Sequence, residues 1–98
     1  MRNFKMIIEY DGAAYCGWQR QPNGISIQQI LEEAAGKITS GKVTLIGSGR
    51  TDAGVHAINQ VANFKSPTSL PAEKIFRGIN SVLPPDVVVK KLEEVPID

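Results

Sequence analysis

Apolar and polar positions alternate from Phe4 to Tyr10: Phe4, Met6, Ile8 and Tyr10 share one face, while Lys5, Ile7 and Glu9 share the other. That period of two predicts a half-buried strand ended by Asp11-Gly12. From Ile27 the period lengthens. Ile27, Ile30, Leu31, Ala34 and Ile38 form one helical stripe, with Gln28, Glu32, Glu33 and Lys37 expected to face water. Ser26 and Gln29 have the spacing of a capping box, Ile25 is placed to staple onto Ile30, and Gly41 is placed to stop the helix. Val43 to Ile46 and Ile58 to about Lys65 read as strands on either side of a glycine-rich stretch. Pro71 fits the first turn of a second helix, whose stripe is Ala72, Ile75, Phe76, Ile79 and Val82. Pro84-Pro85 ends it, Val87 to about Leu92 reads as a last strand, and Glu93 to Asp98 as a tail.

The resulting order, βαββαβ, predicts an α+β, ferredoxin-like sandwich: a four-stranded antiparallel sheet with both helices on one face. Ninety-eight residues make one domain, residues 1–98. Hydrophobic residues are 42 % and charged residues 21 %, the proportions of an ordinary globular chain. A net charge of +1 gives no global argument for nucleic acid. The single cysteine, Cys16, cannot form an internal disulfide, which points to a reducing, cytoplasmic setting. Apolar runs such as Met6-Ile7-Ile8 and Val87-Val88-Val89 are only three residues long, far too short for a membrane span or a signal-peptide core.

The chemistry concentrates between the second and third strands, in Gly47-Ser48-Gly49-Arg50-Thr51-Asp52-Ala53-Gly54-Val55-His56-Ala57. This stretch holds three of nine glycines and the sole histidine. A dinucleotide fingerprint fails because Asp52 stands where its third glycine belongs, and no Gly-Lys-Ser/Thr of a Walker loop occurs. Asp52 and His56 alone are too few ligands for zinc, so no metal is expected. His56 reads instead as a structural hydrogen-bonding group under the loop. Asp52-Ala53-Gly54 has the outline of an aspartic-protease signature, but alanine replaces the supporting hydroxyl. Arg50 would also keep Asp52 ionised, whereas a protease dyad must share a proton. What remains is a carboxylate already charged at neutral pH, able to act as a nucleophile without a base. Arg50 beside it can fork onto a phosphate or stack on a base. The plain alternative is an Arg50–Asp52 pair that only holds the loop. The polar stretch Tyr15 to Gly24 carries Tyr15 and Trp18, so part of it must fold back onto the body.

The block Gly49-Arg50-Thr51-Asp52-Ala53-Gly54-Val55-His56-Ala57 resembles the signature of the tRNA pseudouridine synthase A (TruA) family. Tyr10-Asp11-Gly12, Gly17 to Gly24, Ser26-Ile27-Gln28, Gln60 to Phe64 and Asn80 to Pro84 resemble further blocks in the same order. The resemblance implies an isomerase that converts uridine to pseudouridine at positions 38 to 40 of the tRNA anticodon arm, without cofactor. It makes Asp52 the nucleophile, attacking C6 of uracil or C1′ of the ribose. Arg50 displaces the target base, and Arg20, Thr51, Gln19 and Gln21 contact the RNA. Gly47, Gly49, Gly54 and His56 shape the loop, while Tyr10 and Trp18 are packing residues. Family members are longer, two-halved and dimeric, so this chain reads as the N-terminal half: one wall of the cleft, self-associating and with little activity alone. Ala13-Ala14-Tyr15-Cys16 departs from the family pattern. A non-catalytic ferredoxin-like RNA-binding module is the alternative, disfavoured because Ile58 to Phe64 carries a single aromatic, Phe64, and no Arg/Lys-Gly-aromatic pattern.

Overall fold

A computed structural model describes residues 1–18, 24–47 and 56–97 of the chain. Strand β1 (Arg2–Tyr10) is followed by a 3-10 turn at Gly12–Ala14, helix α1 (Ile27–Thr39), β2 (Ile46–Gly47), β3 (Ala57–Ser66), α2 (Ala72–Val82) and β4 (Val87–Val95). The sheet order is β2-β3-β1-β4, and every neighbouring pair is antiparallel. This is the ferredoxin-like arrangement that the alternation of periods predicts.

The period of two in β1 survives intact. Phe4, Met6, Ile8 and Tyr10 are buried, whereas Lys5 and Ile7 are half-buried and Glu9 is exposed. On the covered face Phe4 stacks on Phe64 of β3, with centroids 5.2 Å apart. Ile27, Leu31, Ala34 and Ala35 of α1 and Ile75 and Ile79 of α2 close the same core. Arg2 locks the far end: its Nη1 donates to the carbonyls of Thr68 and Leu70, both at 2.7 Å, and its Nη2 pairs with Glu94 at 3.0 Å.

Several expectations need correction. The second strand does not run from Val43 to Ile46; among the described residues, only Ile46 and Gly47 pair with β3 along this stretch. The reason lies in Glu32, expected to face water but buried, whose Oε2 accepts the Leu45 N–H at 2.8 Å. A backbone N–H committed to a carboxylate is withdrawn from the sheet ladder, and Val43 and Leu45 are buried all the same. Val82 is exposed rather than part of the α2 stripe. The tail is shorter than expected, because Glu93, Glu94 and Val95 continue β4 opposite Lys5, Phe4 and Asn3.

The ends of α1 follow their signals. The Ser26 hydroxyl accepts the Gln29 N–H at 3.1 Å. At the other end Ser40 takes the left-handed conformation (φ 60°) and Gly41 follows, its N–H returning to the Gly36 carbonyl at 3.1 Å. Pro71 stands one position earlier than expected, capping α2 rather than opening its first turn.

Candidate functional site

Gln19, Arg20, Gln21, Gly49, Arg50, Thr51, Asp52 and Gly54 lie outside the described residues. Gly47 and His56 are described, and they flank residues 48–55. Both flanks meet one short segment, Asp11 to Trp18, which follows β1.

That segment is held from two sides. Gly17 adopts φ 87°, a conformation that disfavours side chains, and so turns its carbonyl and that of Trp18 onto the start of α1. The Gly17 carbonyl accepts Ile27 N–H at 3.1 Å and the Trp18 carbonyl accepts Gln28 N–H at 2.9 Å, pairing amides that a helix start leaves without internal partners. On the other side, the Asp86 carbonyl accepts Asp11 N–H at 2.9 Å, and the Asp86 carboxylate accepts the Tyr15 hydroxyl at 2.7 Å. Burial and that carboxylate push the Tyr15 phenol well above its ordinary range, so it stays a neutral donor. Trp18, buried, stacks on Tyr10 with centroids 6.2 Å apart. The aromatic pair thus packs as expected and braces the segment.

The leading flank is apolar and steric. A Cβ on Gly47 would stand 2.6 Å from Trp18 Nε1 and 2.9 Å from Cε2, closer than real Cβ contacts come. Only glycine lets the backbone approach the indole this closely. Just upstream, Glu32 Oε2 holds Leu45 N–H, and Gln28 Nε2 donates to the same Oε2 at 3.0 Å.

The trailing flank is polar. His56 Nδ1 lies 2.9 Å from Gly12 N and 3.0 Å from Asp11 Oδ1. One nitrogen cannot serve both: with a lone pair it accepts Gly12 N–H, and with a proton it donates to Asp11. Gly12 is buried, whereas the Asp11 side chain is 63 % exposed and its Oδ1 already accepts Ala13 N–H at 3.0 Å. Stranding a buried N–H costs about 1–3 kcal/mol, and an exposed ion pair contributes about 0–1 kcal/mol. The geometry makes Gly12 N–H the donor to Nδ1. His56 is therefore a hydrogen-bonding support beside the loop.

Next to it lies a hollow of about 340 Å³ lined by Glu9, Tyr10, Asp11, His56, Asp86 and Val88, among others. Lys90, the extra residue where the β1–β4 register shifts, reaches across the sheet to the Ile58 carbonyl at 3.2 Å and Asn59 Oδ1 at 2.9 Å. Asn80 fixes that shift by pairing both backbone groups of Val89 at 2.9 Å. Among the described residues, no three His, Cys, Asp or Glu side chains gather as a metal site, and no helix is long and apolar enough to cross a membrane.

Sequence reasoning misses Asp86, Glu32 and Lys90. In the sequence Asp86 only leads into the last strand, Glu32 is a solvated helix position and Lys90 lies within a strand. No periodic signal marks any of them, since each acts through a contact between distant elements.

Comparison with known proteins bears on the whole chain. The tRNA pseudouridine synthase pattern matches residues 6–97. A curated tRNA pseudouridine synthase A from Geotalea daltonii is 56 % identical over 97 residues, covering 99 % of this chain and 40 % of that protein. Its counterpart from Caldicellulosiruptor bescii is 54 % identical over 98 residues, covering all of this chain and 40 % of the relative. That from Thermoanaerobacter pseudethanolicus is 52 % identical over 95 residues, covering 97 % and 39 %. The chain thus spans about two-fifths of the length of the curated relatives it matches. With the family pattern running through nearly every element of the fold and both flanks of residues 48–55, this chain belongs to the tRNA pseudouridine synthase family.

Proposed function

We propose that the chain carries the nucleophile-bearing part of an enzyme that isomerises uridine to pseudouridine in the anticodon arm of tRNA. The observation that carries this reading is the family match over residues 6–97, which includes the block from Gly49 to Ala57. Asp52 is the nucleophile. It adds to C6 of uracil or to C1′ of the ribose, and the bond between N1 and C1′ breaks. The uracil turns, C5 bonds to C1′, the bond to Asp52 breaks and returns its free carboxylate, the C5 proton leaves and N1 takes up a proton, so substrate and product have the same atoms and no co-reactant is consumed. Arg50 fills the space the target base vacates, where a guanidinium can stack and meet phosphate. Arg20, Thr51, Gln19 and Gln21 contact the RNA. Gly47, Gly49 and Gly54 give the segment its close approaches. Residues 1–98 form one domain and one wall of the cleft, the other wall coming from the length that relatives carry beyond the match. A homodimer acting in the cytoplasm completes the reading.

Tritium release from tRNA labelled at uridine C5 tests this. It is measured on the 98-residue chain and on the chain extended by fusion to the remaining segment of the Geotalea daltonii protein. The extended chain should turn over, and Asp52→Ala should lower its rate by on the order of 10⁴-fold or more, the scale of losing a nucleophile. Unchanged turnover in Asp52→Ala would remove the nucleophile assignment. Robust Asp52-dependent turnover by the 98 residues alone would overturn the two-walled cleft.

A further inference from the structure

We propose that the groove at the β2 edge of the helix-free sheet face is a docking site for the phosphate backbone of RNA, with Lys42 and Lys65 as its cationic contacts. The proposal rests on the reading of the chain as part of a tRNA-modifying enzyme. It goes beyond that reading by assigning an RNA contact to residues outside the stretch from 48 to 55.

Register and charge carry the argument. Phe4, Met6 and Phe64 turn towards the helices, so alternate positions of the same strands turn to the open face. There Asn3 stands opposite Lys65 of β3, Lys5 opposite Asn63, and Asn63 in turn opposite Ile46 of β2. Lys42 and Thr44, which precede β2, complete a hollow of about 530 Å³ with Asn3, Ile46, Asn63 and Lys65. The Asn3 carboxamide donates to the Pro96 carbonyl at 3.0 Å, which keeps Ile97 at the rim. Among the described residues the lining holds two ammonium groups, two carboxamides and a hydroxyl, and no carboxylate. Arg2, Arg77, Lys90 and Lys91 each meet a carboxylate within 3.9 Å. Lys42 and Lys65 are exposed and meet none among the described residues. Glu93, in the same cross-strand row as Lys5 and Asn63, stands beyond β1 and is paired with Lys91. Because both groove lysines are exposed, a lone anion would stay largely in water, whereas a chain of phosphates gains from each contact at once. The carboxamides and the hydroxyl suit phosphate and sugar oxygens. β2 leads directly into residue 48, so the groove lies on the strand pair from which the stretch bearing Asp52 departs. That favours RNA over an acidic protein as the polyanion.

Fluorescence anisotropy with a synthetic anticodon-arm hairpin, titrated with the 98-residue chain over a range of salt, reads affinity and its salt slope together. Lys42→Gln and Lys65→Gln should each weaken binding about fivefold to tenfold at about 0.1 M salt and lower the slope by about 1. Hairpins of different sequence should show the same loss, as a backbone contact requires. Lys37→Gln combined with Lys74→Gln removes two charges from α1 and α2 instead and should leave the slope unchanged. In NMR spectra the amides of Thr44, Asn63 and Lys65 should shift when the hairpin is added, and inorganic phosphate at equal ionic strength should not reproduce the shifts. Absence of binding at low salt, or a slope indifferent to Lys42 and Lys65, would overturn the proposal. So would an equal loss from the helix lysines, or the same shifts with phosphate or polyglutamate. In the fusion with the Geotalea daltonii segment carrying Asp52→Ala, the Lys42→Gln, Lys65→Gln pair should weaken tRNA binding by the same factor. Loss of that dependence would mean that the added segment covers the groove, and would also overturn the proposal. None of these readouts involves turnover. A failed groove therefore leaves the tritium-release result standing, and a failed nucleophile assignment leaves the salt slopes standing.

Discussion

The two flanks of residues 48–55 are anchored to the same short segment by opposite physics. At Gly47 the anchor is contact: a backbone without Cβ lies against the buried Trp18 indole, itself stacked on Tyr10. At His56 the anchor is a hydrogen bond at a wet surface. Packing is insensitive to pH and salt and fails only when volume changes. A polar contact open to water contributes little to global stability. The chain thus has one flank held by packing and one held by a polar contact.

The comparison breaks hardest at Trp18. Trp18→Ala removes the surface against which Gly47 and Tyr10 pack and should destabilise the fold by about 3–5 kcal/mol, measured as a shift of the urea midpoint. His56→Ala in the same assay should move it far less. Equal losses at the two positions would erase the distinction between the flanks.

Glu32 sharpens the leading side. Glu32→Ala leaves the Leu45 N–H without its carboxylate in a buried site and should cost about 1–3 kcal/mol, with faster amide exchange at Leu45 as its local signature. Unchanged Leu45 protection would show that the carboxylate is not what withholds this residue from the sheet.

Tyr15 supports the segment both flanks share, and its effect is confined to alkaline pH. Burial and Asp86 raise its phenol above the unfolded value of about 10. The stabilisation is therefore complete below that value and lost as pH rises through the folded one. Thermal melts of the wild type should fall above about pH 10 more steeply than those of Tyr15→Phe, which has no phenol to ionise. Parallel curves would remove Tyr15 from the account.

Much of the architecture was legible because it depends on local periodicity. Alternation in Phe4 to Tyr10 sets a strand whichever partner it finds, and Ser26 with Gln29 starts a helix by bonds made within four residues. The candidate chemistry was legible for another reason: the block from Gly49 to Ala57 is a contiguous word, shared with a family whose pattern covers residues 6–97. Glu32 was misread because helical spacing says which side of α1 it occupies, but not that the chain after Gly41 returns over that side. The length of β2 was misread with it, since Leu45 looks like a strand residue until its N–H finds a carboxylate.

By itself, then, the sequence determined the order of elements, the buried face of each and the stretch that bears Arg50 and Asp52. Only the tertiary structure decided that Gly12 and Trp18 grip the two flanks of that stretch, and that His56 Nδ1 has two partners and can satisfy one. Gly12 and His56 are 44 residues apart in the chain. Propensity and periodicity act over a few residues, whereas a contact at that separation exists only once the sheet has brought the end of β1 beside the start of β3.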